Sequence, residues 1–182
     1  MSKPPSQQRY IKKDDPNWIP YRGPKPVDSR GEIVVGDVVP QDERLWVPLG
    51  DKVWTRPLSF VPSQGYWVHL LRVRKTGIFN RHRHASPVHG YVLKGRWYYL
   101  EHEWEAAEGG YVFEAPGDTH TLVVPDDVEE MITLFHTTGT ITYVDPDGKV
   151  TGIEDVFTRL DTCRKYYESI GLGAKFVDQF IV

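Results

Sequence analysis

The chain has 182 residues, a net charge of -3 and a pI near 6.2, with 40% hydrophobic and 13% aromatic residues. That length suits one domain with extended ends, and that apolar content provides a buried core and argues against disorder. The near-balanced charge argues against a nucleic-acid surface or a polybasic membrane patch, since basic pairs such as Lys12-Lys13 are offset by acids.

Residues 1–32 read as an N-terminal arm. Pro4, Pro5, Pro16, Pro20, Pro24 and Pro26 exclude a long helix there. The arm is either partly disordered or lies extended over the domain, docked by Trp18, Ile19 and Tyr21. From residue 33 to about 150, short apolar runs alternate with turn residues. The runs lie near Lys52–Phe60, Tyr66–Lys75, His89–Leu93, Arg96–His102, Gly110–Phe113, His120–Val124, Glu130–His136 and Thr140–Val144. Most are rich in β-branched and aromatic residues. Their breaks, such as Lys94-Gly95 and Asp145-Pro146-Asp147-Gly148, carry turn chemistry. Closely spaced short strands predict an all-β sandwich or barrel.

Residues 151–182 read as a helical appendage. Val156, Phe157, Leu160, Cys163, Tyr167 and Ile170 recur at helical intervals over Glu154–Ile170, and Gly171 and Gly173 end the helix. The last apolar residues, Phe176, Val177, Phe180, Ile181 and Val182, are expected to pack on the barrel or on a second subunit, most simply in a homodimer or higher homo-oligomer. Cys163 is the single cysteine, which excludes an intrachain disulfide and a thiolate cluster and fits a reducing compartment. Polar residues and prolines follow Met1, and no apolar run reaches about 18 residues. The expectation is a soluble, cytoplasmic protein with no membrane partner.

The most informative stretch runs from Gly77 to Gly95. Residues two apart on a strand share a face, so His82 and His84 aim their imidazoles into one space while Arg83 points away. A second stretch begins at Gly110 and reaches Pro116-Gly117 and then His120, where a strand ends in a turn and the next begins with a histidine. Side by side, these strands would bring a third imidazole to the first two.

In these residues the chain resembles the cupin superfamily. The family's first motif is matched by Gly77, His82-x-His84 and Gly95. The second is matched by Gly110, Pro116-Gly117 and His120, with Pro-Gly in place of Pro-x-Gly. The resemblance spans roughly residues 66–136 and implies a jelly-roll (double-stranded β-helix) barrel with a metal on His82, His84 and His120. The chain departs from the motif at its glutamate ligand, whose place falls on Val88 or His89. His89 is therefore read as a substrate contact or hydrogen-bond partner, with a fourth-ligand role open. Glu101, after the Lys94-Gly95 turn, is read as a general base or remote ligand if it faces inward. Glu114 and Asp118 are read as turn-stabilising residues, and His69, His102 and His136 as packed or surface histidines.

Three neutral imidazoles leave the full charge on a divalent ion and keep coordination positions open for an anionic chelating substrate. Imidazole ligands alone do not choose among Zn, Cu, Fe and Ni. The stretches His82–Glu101 and Glu114–Leu122 are further similar to the 2,4'-dihydroxyacetophenone dioxygenase family, related to ChrR-type cupins. That resemblance implies a non-haem Fe(II) enzyme of aromatic catabolism that uses O2 to cleave a C–C bond beside an aryl ketone. Zn, Mn or Ni could occupy the site as isolated. Tyr91, Trp97, Tyr99 and Phe135 are the candidate walls of an aryl pocket. The rival readings are a metal-dependent cupin isomerase, hydrolase or lyase, and a metal-sensing cupin.

Overall fold

Alternating burial along the chain resolves into twelve strands in the computed structural model, which describes residues 19–182. They are β1 (Val47–Gly50), β2 (Val53–Val61), β3 (Tyr66–Val73), β4 (Gly77–His84), β5 (Val88–Lys94), β6 (Arg96–Tyr99), β7 (Glu105–Ala107), β8 (Tyr111–Glu114), β9 (Thr119–Val124), β10 (Met131–Thr138), β11 (Ile141–Val144) and β12 (Val150–Glu154). Two antiparallel six-stranded sheets form, in the orders β1-β2-β3-β10-β5-β8 and β12-β11-β4-β9-β6-β7. Their inner faces share one core: Val73, Val88, Val92, Met131 and Phe135 from the first pack against Trp97, Tyr99, Leu122 and Val124 from the second. The expected all-β architecture is thus present. The short strands β1, β7 and β12 lie outside the predicted runs, and β12 extends the sheet into the segment read as purely helical.

An α-helix, α1 (Val156–Ser169), follows β12. The Asp155 carboxylate accepts hydrogen bonds from the Phe157 and Thr158 amides, and Thr158 Oγ1 accepts from the Asp155 amide, forming a capping box. Gly171, at φ 80°, takes the left-handed conformation that ends it. The buried side of α1 carries Val156, Arg159, Leu160, Cys163 and Tyr167. A 3-10 helix (Ala174–Phe180) then returns the chain to β2, where the Val182 amide donates to the Phe60 carbonyl at 2.9 Å. Val177 and Phe180 are buried against α1, Phe60 and Trp67. The apolar residues from which a second subunit was inferred are therefore largely consumed within the chain.

Trp18 and the residues before it lie outside the described residues. Ile19 and Tyr21 are exposed rather than docked, because the surrounding prolines keep this stretch out of both sheets. Among the described residues no helix is long and apolar enough to cross a membrane.

Candidate metal centre

β4 lies between β11 and β9, and its register with β9 pairs His82 with His120. The turn before β9 is fixed by Gly117, at φ 87°, whose amide donates to the His84 carbonyl at 2.8 Å. His82, His84 and His120 converge: ring centroids are 4.8 Å apart for His82 with either neighbour and 5.3 Å for His84 with His120. One nitrogen from each lies within 4.8 Å of the others. His82 Nδ1 sits 2.8 Å from the Asn80 carbonyl, which can only accept. Nδ1 therefore carries the hydrogen and Nε2 keeps its lone pair for the centre.

A fourth group joins them. Glu114, at the end of β8, places Oε2 3.0 Å from His84 Nε2 and 3.6 Å from His120 Nε2. Its Oε1 accepts from the Tyr99 hydroxyl at 2.7 Å. Tyr99 also stacks on His120, with centroids 3.8 Å apart and planes 4° from parallel. The reading of Glu114 as a turn residue is thus corrected. On β8, Val112 and Glu114 are buried while Tyr111 and Phe113 are exposed, so pleating turns the carboxylate inward.

Electrostatics sets the protonation state. Burial, reinforced by His82 and His84 but opposed by Glu114 and Asp118, lowers the His120 pKa to about 4. Burial and then His84 likewise lower that of His82. Burial works against the Glu114 carboxylate, yet the neighbouring His84 and His120 and the Tyr99 hydroxyl hold its pKa below the usual glutamate range. Neutral His82 and His120 beside an ionised Glu114 offer lone pairs and negative charge to a cation.

The same atoms test whether a metal fits. His84 Nδ1 and Nε2, His120 Nε2 and Glu114 Oε2 are buried without a well-aligned hydrogen bond, the 3.0 Å approach of His84 Nε2 to Glu114 Oε2 being the nearest to one. Such groups are costly to leave unmet. A divalent transition metal amid His82, His84 and His120, with Glu114 beside it, would satisfy those that face the centre. The residues therefore fit a metal ion, and the donor set does not select which.

The centre opens into a cavity of about 630 Å³ between the sheets, walled by Leu71, Val73, Val88, Leu122, Phe135 and Ile141. Of the candidate pocket residues, Tyr99 and Phe135 line it. Trp97 is instead core, its indole N–H donating to Thr133 Oγ1 at 2.9 Å. On β5 the inward positions are Val88, Gly90 and Val92, so His89 and Tyr91 lie on the outer face. There His89 Nδ1 meets the Tyr111 hydroxyl at 2.7 Å and its ring stacks on His136. Glu101 is also outside the lining residues: its two oxygens accept from the Thr121 amide and hydroxyl, each at 2.7 Å. His102 pairs with Asp118 at 2.9 Å. His69, read as packed or surface, is buried and lines the cavity.

Comparison with known proteins agrees with this fold. An RmlC-like cupin protein of Ralstonia eutropha JMP134 is 26% identical, with 68% of this chain and 82% of that one covered and a TM-score of 0.66. The acetylacetone dioxygenase of Acinetobacter johnsonii shares the fold at 18% identity, with 81% of this chain and 99% of that one covered and a TM-score of 0.64. No curated protein sequence matches. The ChrR cupin-like domain matches residues 35–142, more than half of the chain and the whole of the three-histidine centre, and so the chain belongs to the ChrR cupin-like family.

Proposed function

We propose that the protein is a non-haem Fe(II) dioxygenase that cleaves a C–C bond next to a ketone with O2, giving carboxylic acids. The substrate would be an aryl 2-hydroxyketone or a β-diketone. The observation that carries this reading is the donor set: three converging imidazoles, with the buried Glu114 carboxylate beside His84 and His120, at the wall of a cavity with mixed polar and apolar lining. The fold shared with an acetylacetone dioxygenase supports it. Iron held by His82, His84 and His120 would supply Lewis acidity toward the substrate oxygens and a redox route to O2.

The chain's own residues would do the rest. Glu114, which lines the cavity, is held ionised and accepts from Tyr99, would act as the base that takes the acidic proton of a bound hydroxyketone or diketone. This reading moves the base from Glu101 and His89, which do not line the cavity, to Glu114. Tyr99 would hold His120 by stacking and Glu114 by its hydroxyl. Val88, Leu122 and Phe135 would exclude water around the reacting carbons.

The test is anaerobic loading with Fe(II), then O2-electrode assays on hydroxyketones and β-diketones, with 18O2 on any accepted substrate. O2 uptake without added reductant and label in both acid products are expected. Iron bound without O2 uptake across the panel would remove the dioxygenase reading in favour of a metal-dependent isomerase, hydrolase or lyase, or a sensor.

A further inference from the structure

Arg159 projects from the first turn of α1 into the cavity that holds the histidine centre, and only 4% of it is exposed. Its Nη2 donates to Glu154 Oε2 at 2.6 Å. Its Nε and Nη1 are buried with no hydrogen-bond partner. Glu154 reaches only Nη2, and its Oε2 also accepts from the Tyr143 hydroxyl at 2.9 Å. Buried guanidinium hydrogens without an acceptor are costly, and the cost vanishes when an oxyanion arrives.

The place of this cluster relative to the centre follows from strand register. His84 pairs with Ile141 across β4 and β11, and Ile141 pairs with Glu154 across β11 and β12. Two inter-strand steps separate the Glu154 backbone from that of His84 by roughly 10 Å. Tyr143 bridges the interval, its ring 6.1 Å from that of His82 and its hydroxyl on Glu154. The other cation lining the cavity, Lys75, is partly exposed and lies 3.7 Å from Asp51.

We propose that the cavity takes a ligand with a carboxylate at one end, received by the Arg159 guanidinium, and its metal-binding oxygens at the other. The inference rests on reading the cavity as a substrate pocket and narrows the substrate class to carboxylate-bearing ketones. Charge favours a monoanion. A divalent ion, Arg159, Glu114 and Glu154 together leave one positive charge, which a carboxylate cancels and a phosphate dianion would overshoot beside Glu154. The aliphatic and aromatic residues that also line the cavity suit a carbon skeleton joining the two ends.

The experiment is isothermal titration calorimetry on the metal-free, full-length protein. Acetate, benzoate and 4-acetylbenzoate are each compared with the corresponding primary amide, and inorganic phosphate is titrated alongside. At least one carboxylate should bind about tenfold or more tightly than its amide, in keeping with a hydrogen-bonded charge pair. The preference should disappear in the Arg159→Met/Glu154→Gln double variant, which leaves no unpaired buried charge, and persist in part in Arg159→Lys. The wild-type comparison stands even if a variant fails to fold. Equal binding or no binding of every pair, a preference that survives in the folded double variant, or tighter binding of phosphate would overturn the proposal. No O2 chemistry enters the measurement, so a missing dioxygenase activity with an intact carboxylate preference strikes only the activity.

Discussion

Val88 and Glu114 are Cα partners across β5 and β8, and both side chains are buried. The cupin motif that the sequence resembles sets its glutamate at position 88 or 89, where this chain has valine and histidine. The carboxylate instead enters from the neighbouring strand. Glu114→Gln keeps the shape and removes the charge. The fold should persist, and metal affinity should fall about 10–100-fold, as when a group supporting a metal site is lost. Chelator competition measures this; unchanged affinity would mean that the carboxylate does not feel the ion.

Removing any one of the three imidazoles should do more. His82→Ala, His84→Ala and His120→Ala should each lower bound metal from near one per chain to a small fraction. Zinc serves as a redox-inert probe. At a free concentration near 100 times its dissociation constant, it should stabilise the wild type by about 2.7 kcal/mol and the variants hardly at all. Elemental analysis and melting curves decide it, and full metal content in all three variants would put the site elsewhere.

The parts of the centre that could be read in advance are those with a fixed phase. His82 and His84 share a face by period two, and a Pro-Gly turn fixes where β9 begins and so where His120 sits. Glu114 was hidden because Tyr111, Val112 and Phe113 make both faces of β8 apolar, so alternation cannot say which face is inward. The same ambiguity on β5 concealed that His89 and Tyr91 face outward. Packing resolves it: a Cβ at Gly90 would meet Phe135 Cε1 at 3.1 Å, which marks the inner face. Arg159 lies on the buried side of α1 with Val156 and Cys163, yet a charged side chain carries no apolar signal. The strands β1, β7 and β12 have only three to five residues each and lie at sheet ends, too short for periodicity to register.

His69 predicts an acid sensitivity independent of metal. Its Nδ1 lies 2.8 Å from Thr55 Oγ1, and burial, then the charge of Arg159, push its pKa well below the ordinary 6.5. The unfolded chain accepts a proton that the folded chain resists. Stability complete above the unfolded pKa is therefore lost as pH falls below it, reaching about 2 kcal/mol near pH 5. His69→Gln can still bond Thr55 but does not titrate. Urea unfolding of the metal-free proteins at neutral pH and near pH 5 should give a wild-type loss larger by about that amount. Equal losses would mean that His69 takes up its proton in the folded state.

The C-terminal turn should matter to stability out of proportion to its length. Phe180 is 2% exposed, packs in the cluster with Trp67 and Tyr167, and lies 5.1 Å beneath the Arg56 guanidinium. Phe180→Ala leaves a cavity where α1 meets β2 and should destabilise by about 3–5 kcal/mol. Urea denaturation measures it, and a change below about 1 kcal/mol would show that this end of the chain packs loosely.

Tyr99 tests whether the aromatic ring and the carboxylate act as one unit. Burial, then Glu114, raise its pKa well above the ordinary value, so the hydroxyl remains a donor to Glu114 at neutral pH. Tyr99→Phe keeps the stack on His120 and deletes only that hydrogen bond, whose charged acceptor makes it worth about 1.5–3 kcal/mol. Metal content should be unchanged, because no ligand is lost. If Glu114 is the base, turnover on an accepted ketone should fall about 10–100-fold, because the carboxylate loses the hydrogen bond that positions it. The decisive comparison is the double variant with Glu114→Gln. If the hydroxyl works through the carboxylate, the double variant should be little worse than Glu114→Gln alone, giving a coupling of about 0.5–3 kcal/mol in the cycle. Strictly additive effects would separate Tyr99 from Glu114 and leave the tyrosine only its stacking on His120.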